Sequence, residues 1–212
     1  MQIILAKTAG FCFGVDRAVE MVSESVRAGN RTATLGPIIH NRHVVEQFAR
    51  MGVREIASPE EAEPDETVII RAHGVPRQVQ EKLAALGVRT MDATCPFVKK
   101  IHTIVKGETQ KGRRVIIFGS PTHPEVEAIA SFCDEPVIVT SPEELQNWLE
   151  KVPERKNFSL SMVSQTTSSQ KLWESCARIA KKVCTNCEIF DTICRATEMR
   201  QEEAAFLSKS CD

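Results

Sequence analysis

The 212-residue chain is 42% hydrophobic and carries 27 basic against 28 acidic side chains, a formal net charge of -1. That length can bury one large core or two small ones, and the even charge excludes a global nucleic-acid signature. No apolar run approaches the ~20 residues of a membrane span. The opening MQIILAKTAGFC also lacks the basic region, apolar block and cleavage pattern of a secretory signal. The chain is therefore expected to be cytoplasmic, with no membrane insertion and no nucleic-acid partner. Its eight cysteines are then reduced thiols rather than a disulfide framework, which leaves metal binding, redox chemistry or burial.

In chain order, Gln2 to Ala6 reads as a short strand. Val15 to Ala28 has helical spacing in Val15, Ala18, Val19, Val22 and Val26, and Gly29-Asn30 is a stop. Arg31 to Leu35 reads as a strand and Arg42 to Met51 as a helix. Val53 to Ile56 is extended. Ser58 to Glu66, acidic and with two prolines, is a solvated connection. Thr67 to Ile70 is a buried strand. Pro76 opens a helix to Leu86 at a position where its missing donor costs nothing. Gly87 to Thr90 leads to Cys95 and then a helix from Phe97 to Gln110. Arg114 to Phe118 is a strand, Val126 to Ser131 a short helix and Val137 to Val139 a strand. Ser141-Pro142-Glu143-Glu144 starts a helix whose apolar face is Leu145, Trp148 and Leu149. Pro153 to Asn157 resets the chain. Phe158 to Val163 is a strand, Ser168 to Val183 a helix, Glu188 to Phe190 a strand and Ala196 to Leu207 a helix. This repeated strand-to-helix order predicts α/β layers with a mainly parallel sheet architecture.

Three cysteines occupy similar junctions. Gly10-Phe11-Cys12-Phe13-Gly14, Asp92-Ala93-Thr94-Cys95-Pro96 and Asp191-Thr192-Ile193-Cys194 each lead into a helical run. Backbone donors and a helix N-terminus can stabilise a thiolate there. The division expected is 1-13, an N-terminal strand and first cysteine loop; 14-95, a first α/β unit; 96-193, a second; and 194-212, the start of an incomplete third. Three thiolates meeting around an axis suit an iron–sulfur cluster or zinc, and buried incidental thiols are the plain alternative. A cluster held by three cysteines leaves one iron free of protein thiolate, able to act as a Lewis acid and to pass single electrons. Cys184-Thr185-Asn186-Cys187 is a competing metal signal, joined by Cys176 or Cys194. Cys133 and Cys211 read as ordinary thiols.

His40, His73 and His123 each follow a strand-like run, in exits that contain Gly36-Pro37, Gly74 and Gly119 respectively, and such exits can place imidazoles in a crevice at the strand ends. There they can donate to an anion or simply cap loops. His43 and His102 fall within helices. Glu125 can relay a proton to a leaving hydroxyl or serve as a helix-start carboxylate. Thr166 and Thr167 can orient a ligand hydroxyl or cap a helix. No dinucleotide fingerprint and no P-loop is present.

The phrases GFCFGVDRA at 10–18, GPIIHN at 36–41, RAHGV at 71–75, DATCPFVKKIH at 92–102, THPEVE at 122–127, SQTT at 164–167 and DTICRATEMRQ at 191–201 resemble the 4-hydroxy-3-methylbut-2-enyl diphosphate reductase family. The match runs through essentially the whole chain. The resemblance implies three α/β lobes around one 4Fe-4S cluster, with the third lobe incomplete here. It implies Cys12, Cys95 and Cys194 as cluster ligands and His40, His73 and His123 on the diphosphate side, His123 also serving the proton network. It implies Glu125 as proton donor toward the allylic hydroxyl, Thr166 beside that hydroxyl and Thr167 as adjacent support.

The implied substrate is an allylic diphosphate, the electron partner a ferredoxin or flavodoxin-type protein, and the source bacterial. Family members continue into a serine–serine–asparagine phrase and a later serine that no residue here matches. Ser120 stands where relatives often carry histidine. Two alternatives are a noncatalytic iron–sulfur or zinc-binding module on the same fold and a diphosphate-binding protein with unused cysteines.

Overall fold

The computed structural model describes residues 3–152 and 159–210. The expected reset at Pro153 to Asn157, and Phe158 at the head of the following strand, lie outside them. Two four-stranded, all-parallel sheets organise the chain. The first lobe runs α1 (Phe13–Arg27), β1 (Arg31–Leu35), α2 (Arg42–Arg50), β2 (Arg54–Ile56), β3 (Glu66–Ile70), α3 (Arg77–Leu86) and β4 (Arg89–Asp92). Its strands lie in the order β2-β1-β3-β4. The second runs α4 (Pro96–Gln110), β5 (Arg114–Phe118), α5 (Pro124–Ala130), β6 (Val137–Val139), α6 (Pro142–Lys151), β7 (Ser159–Ser164), α7 (Gln170–Val183) and β8 (Asn186–Ile189). Its order, β6-β5-β7-β8, repeats the first. Helix α8 (Ala196–Leu207) follows.

Parallel strands joined by helices have both faces covered, so central strands read as unbroken apolar runs. Strand β3 is buried along its whole length. Its Ile69 packs with Ala18, Val22, Ile38 and Phe48 under α1 and α2, while Val68 and Ile70 pack with Leu35, Ile56 and Leu83 under α3. In the second lobe Val115 and Ile117 meet Ile101, Val105 and Ile129 under α4 and α5. The alternate residues Ile116 and Phe118 meet Leu145, Leu149, Leu160 and Trp173 under α6 and α7. Each fully buried isoleucine or leucine contributes roughly 1.5–3 kcal/mol. These two-sided cores fix both registers, because a one-residue slip would exchange the faces.

The repeat extends to single hydrogen bonds. Gly36 N–H donates to Ile56 O at 2.8 Å, and Gly119 N–H donates to Val139 O at 3.0 Å. The spacing from Gly36 to Gly119 equals that from Cys12 to Cys95 and from His40 to His123. The lobes meet where Arg77 N–H of the first donates to Ser131 Oγ of the second at 2.8 Å; within the second, the His102 ring of α4 stacks on Phe132 at 4.4 Å.

Some expectations shift. Residues 3–6 pair with no strand among the described residues, and Ile3 and Leu5 are exposed. An apolar run without a neighbouring edge has nothing to bond to. Glu66 begins β3 rather than closing a solvated loop. It is 2% exposed and meets Arg54 Nε at 3.0 Å, and its other oxygen accepts Glu63 N–H at 2.9 Å. Strand β8 starts two residues earlier than the β-branched run suggests, because Cys187 and Ile189 supply its core face.

Candidate active site

The site lies where the strands of both sheets end. Parallel sheets place their ligand crevices at the carboxyl ends of strands, and here two such ends face one cavity of about 210 Å³. Its lining includes Cys12, Cys95, Cys194, His40, His73, His123, Glu125, Thr166 and Thr167. Every residue expected from the sequence to act is therefore brought to one place. His43, by contrast, sits on α2, outside that lining. Cys176 and Cys184 are buried in the second lobe's core and Cys187 packs against it, which removes the competing Cys184–Cys187 signal from the cavity.

Each cysteine is delivered by the same local construction. Cys12 and Cys95 immediately precede α1 and α4, and Cys194 lies one residue further from α8. Cys95 N–H donates to Ala72 O at 2.9 Å and Cys194 N–H to Thr166 O at 2.7 Å. The Cys95 and Cys194 loops are thus tied to the exits of the neighbouring strands, β3 and β7 respectively. All three thiols are free and partly buried. Burial pushes the Cys95 thiol up, the N–H groups of Phe97 and Val98 oppose that, and the thiols of Cys12 and Cys194 add to the rise. A group placed to satisfy all three sulfurs would relieve that crowding.

Sequence reasoning missed why residue 14 is glycine. A Cβ there would stand 2.5 Å from Cys95 Sγ, closer than real side chains approach. The flanking Cys-Phe-Gly pattern was a signal for close approach, but not of what approaches. Gly119 has a similar role, since its Cβ would meet Gln165 Cβ and Val126 Cγ2 at 2.8 Å. Ser120, which follows it, donates its N–H to Gln165 Oε1 at 3.1 Å.

The imidazoles form a second wall. Ring centres are 4.4 Å apart for His40 and His73, 5.6 Å for His73 and His123, and 6.1 Å for His40 and His123. One nitrogen from each lies within 4.8 Å of the others, close enough to share a metal ion. His123 Nδ1 accepts the Glu125 N–H at 3.1 Å, which leaves Nε2 for a ligand. Burial lowers the His73 pKa to about 4, with His40, His123 and Arg71 adding to the effect. His73 Nδ1 is buried without a protein partner. A buried orphan of this kind is costly unless something serves it.

Glu125 is 2% exposed. Thr166 N–H donates to its Oε1 at 2.6 Å and Thr166 Oγ1 to its Oε2 at 2.8 Å. Burial raises its pKa, and the two Thr166 hydrogen bonds oppose the rise. This carboxyl holds a proton more readily than a surface glutamate.

Known proteins resemble this chain over nearly its whole length. The family model described as LytB protein matches residues 3–212. The chain is 41% identical to the 4-hydroxy-3-methylbut-2-enyl diphosphate reductase of Caldanaerobacter subterraneus subsp. tengcongensis, over 100% of this chain and 73% of that protein. It is 40% identical to the enzyme of the same name from Geobacter sulfurreducens, with the same coverage. A solved structure of (E)-4-hydroxy-3-methyl-but-2-enyl diphosphate reductase, the terminal enzyme of the non-mevalonate pathway, superposes with a TM-score of 0.83. It is 34% identical and covers 99% of this chain and 74% of its own. The Plasmodium falciparum reductase superposes at 0.85 with 27% identity, over 96% and 64% of the two chains. The two-lobed fold is thus common to these proteins, and the chain belongs to the LytB protein family.

Proposed function

We propose that the chain reductively removes the hydroxyl of 4-hydroxy-3-methylbut-2-enyl diphosphate, giving isopentenyl and dimethylallyl diphosphates. Two electrons and two protons enter, and the hydroxyl leaves as water. The observation that carries the reading is that three thiols, three imidazoles and one buried carboxyl from both sheets line one cavity. The activity is that named for the relatives, of which the chain spans about 73%.

Cys12, Cys95 and Cys194 would hold a 4Fe-4S cluster. Their soft donor set suits it, and the space left by the absent Gly14 side chain lets Cys95 Sγ sit among the other donors. When bound, such a cluster supplies single electrons and a Lewis-acidic iron free of protein thiolate. The electrons would come from a ferredoxin or flavodoxin-type donor.

The chain's own side chains bind and protonate. His40, His73 and His123 offer N–H donors spaced for the several oxygens of a diphosphate. The lowered pKa of His73 keeps it neutral at pH 7, so it binds as a dipole. Glu125 delivers a proton to the departing hydroxyl. Thr166 holds that carboxyl at both oxygens, and its hydroxyl can rotate from the carboxylate to the substrate oxygen or a bridging water. Thr167, the next residue on the same exit, supports that position. Holding these groups before the substrate arrives is itself a rate contribution.

A second reading is a noncatalytic metal-binding module, favoured by the mutual approach of the three imidazoles, which suits one zinc ion. Anaerobic reconstitution with iron and sulfide, elemental analysis and a product assay under a reduced viologen dye separate the two. Four irons per chain with both alkenyl diphosphates formed supports the reductase. One zinc per chain and no product supports the module.

A further inference from the structure

We infer that Arg17 and Arg200 are equivalent positioning residues, each gripping the loop that brings another cysteine to the cavity, and that Glu203 completes the grip on the Cys12 loop. The inference rests on the proposed sharing of one cofactor by the three cysteines.

Each arginine is the fifth residue of a helix that starts beside a cysteine. Arg17 of α1, the helix after Cys12, reaches the loop before Cys95. Its Nη2 donates to Asp92 O at 3.2 Å and its Nη1 to Thr94 O at 3.3 Å. Arg200 of α8, the helix after Cys194, reaches the segment before Cys12, where its Nε donates to Thr8 O at 3.0 Å. Glu203 lies almost one turn further along α8. Its carboxylate accepts the N–H groups of Lys7 and Thr8, each at 2.7 Å, and the Thr8 hydroxyl. The pattern covers two of the three helices: the fifth residue of α4 is Lys100, which is exposed and grips no loop among the described residues.

The Cys12 loop needs this device most. Cys95 and Cys194 each have a backbone bond to a strand exit. Among the described residues, Cys12 N–H has no such bond. The segment before it pairs with no described strand, and Ile3 and Leu5 are exposed, so apolar burial does not fix it either. Among the described residues, what ties it to a distant element is the set of hydrogen bonds to Arg200 and Glu203. These are charge-assisted and therefore stronger than neutral ones. A forked guanidinium also suits the paired carbonyls Asp92 and Thr94 better than an ammonium would. The Cys95 loop is thus held by the helix that follows Cys12, and the Cys12 loop by the helix that follows Cys194.

The test uses the full chain and Glu203→Ala, because Glu203 lies outside the cavity lining. An exposed pair on α1, Arg27 with Glu20, supplies the control variant Glu20→Ala. In the metal-free, reduced protein, amide exchange at Lys7 and Thr8 should quicken about tenfold or more on loss of these bonds. Alkylation of Cys12 should quicken while that of Cys95 does not. After anaerobic reconstitution, iron loss to a chelator should be about tenfold faster than in the parent and the control. Arg200→Lys should keep more of the parent's retention than Arg200→Met. Parent-like exchange at Lys7 and Thr8 would overturn the inference, and so would faster exchange with unchanged iron loss. Should the parent itself take up no cluster, the reductase reading falls. Exchange and Cys12 alkylation then still decide the grip: acceleration supports it and parent-like rates sink it.

Discussion

The α-carbon of Gly14 faces the sulfur of Cys95 so closely that one added methyl would sit 2.5 Å from Sγ. The two residues belong to different cysteine loops, so each loop sets the room available to the other. Gly14→Ala should displace the Cys95 thiol and lower the iron bound per chain at least severalfold, with helical content unchanged. Gly107, within α4, is the counterpart: a Cβ there meets nothing within 4 Å. Gly107→Ala should leave iron content alone and raise stability by up to ~1 kcal/mol, the gain in helix propensity. Iron assay and urea unfolding of both variants check the pair.

Glu125→Gln keeps the size of the side chain and removes its acid. Turnover should fall by about 100- to 10,000-fold, the usual worth of a positioned proton donor. Iron content and the optical spectrum of the reconstituted protein should match the parent. Equal turnover would remove Glu125 from proton delivery.

Deep in the second lobe, Ser161 Oγ donates to Glu108 Oε2 at 2.6 Å, and Lys111 reaches Oε1 at 2.6 Å. Burial opposes ionisation of Glu108, but the hydrogen bonds from Lys111 and Ser161 outweigh it and hold the carboxyl below its ordinary value. The stability this contributes is present above the ordinary carboxylate pKa and is lost as pH falls through the lowered one. Ser161→Ala should cost roughly 1–3 kcal/mol in urea unfolding at pH 7, because Glu108 Oε2 is left with only the longer Arg113 Nε contact at 3.4 Å. Iron binding should not change.

His102 gives an acid-sensitive term of the same sign. Burial lowers its pKa to about 4, while Asp92 pulls upward and Lys99 downward. The unfolded chain takes up this proton near 6.5 and the folded chain only near 4, so stability should decline between those values as pH falls and then level off. Its Nε2 is a buried orphan. His102→Leu should therefore flatten the decline at modest cost near pH 7. Thermal unfolding of the metal-free protein at pH 7, 6 and 5 measures the slope; an unchanged slope in the variant would refute the assignment.

Much of this fold was readable from the chain because its strands are short, apolar and punctuated. VII at 68–70 and VIIF at 115–118 announce buried strands, and the helix from Ala196 to Leu207 has the same bounds in the structure as in the periodicity. The site was legible for a related reason: its residues cluster at strand exits, and parallel topology sends every exit to the same edge. What stayed hidden is long-range. Nothing near Glu203 in sequence marks Lys7 and Thr8 as its partners, and nothing near Gly14 marks the Cys95 sulfur. The segment at 3–6 misled because apolar residues signal a strand only where an edge exists to receive them.

The two sheets share the same strand order yet exchange no strand, and Cys12, Cys95 and Cys194 each stand just before a helix. Any group bound by all three sulfurs therefore closes two loops, each about a whole lobe long. Such closure removes freedom from the open chain far more than from the native one. Loading would then act as a keystone: a chelator would strip the centre and also uncouple one lobe's unfolding from the other's, splitting a single cooperative transition into two.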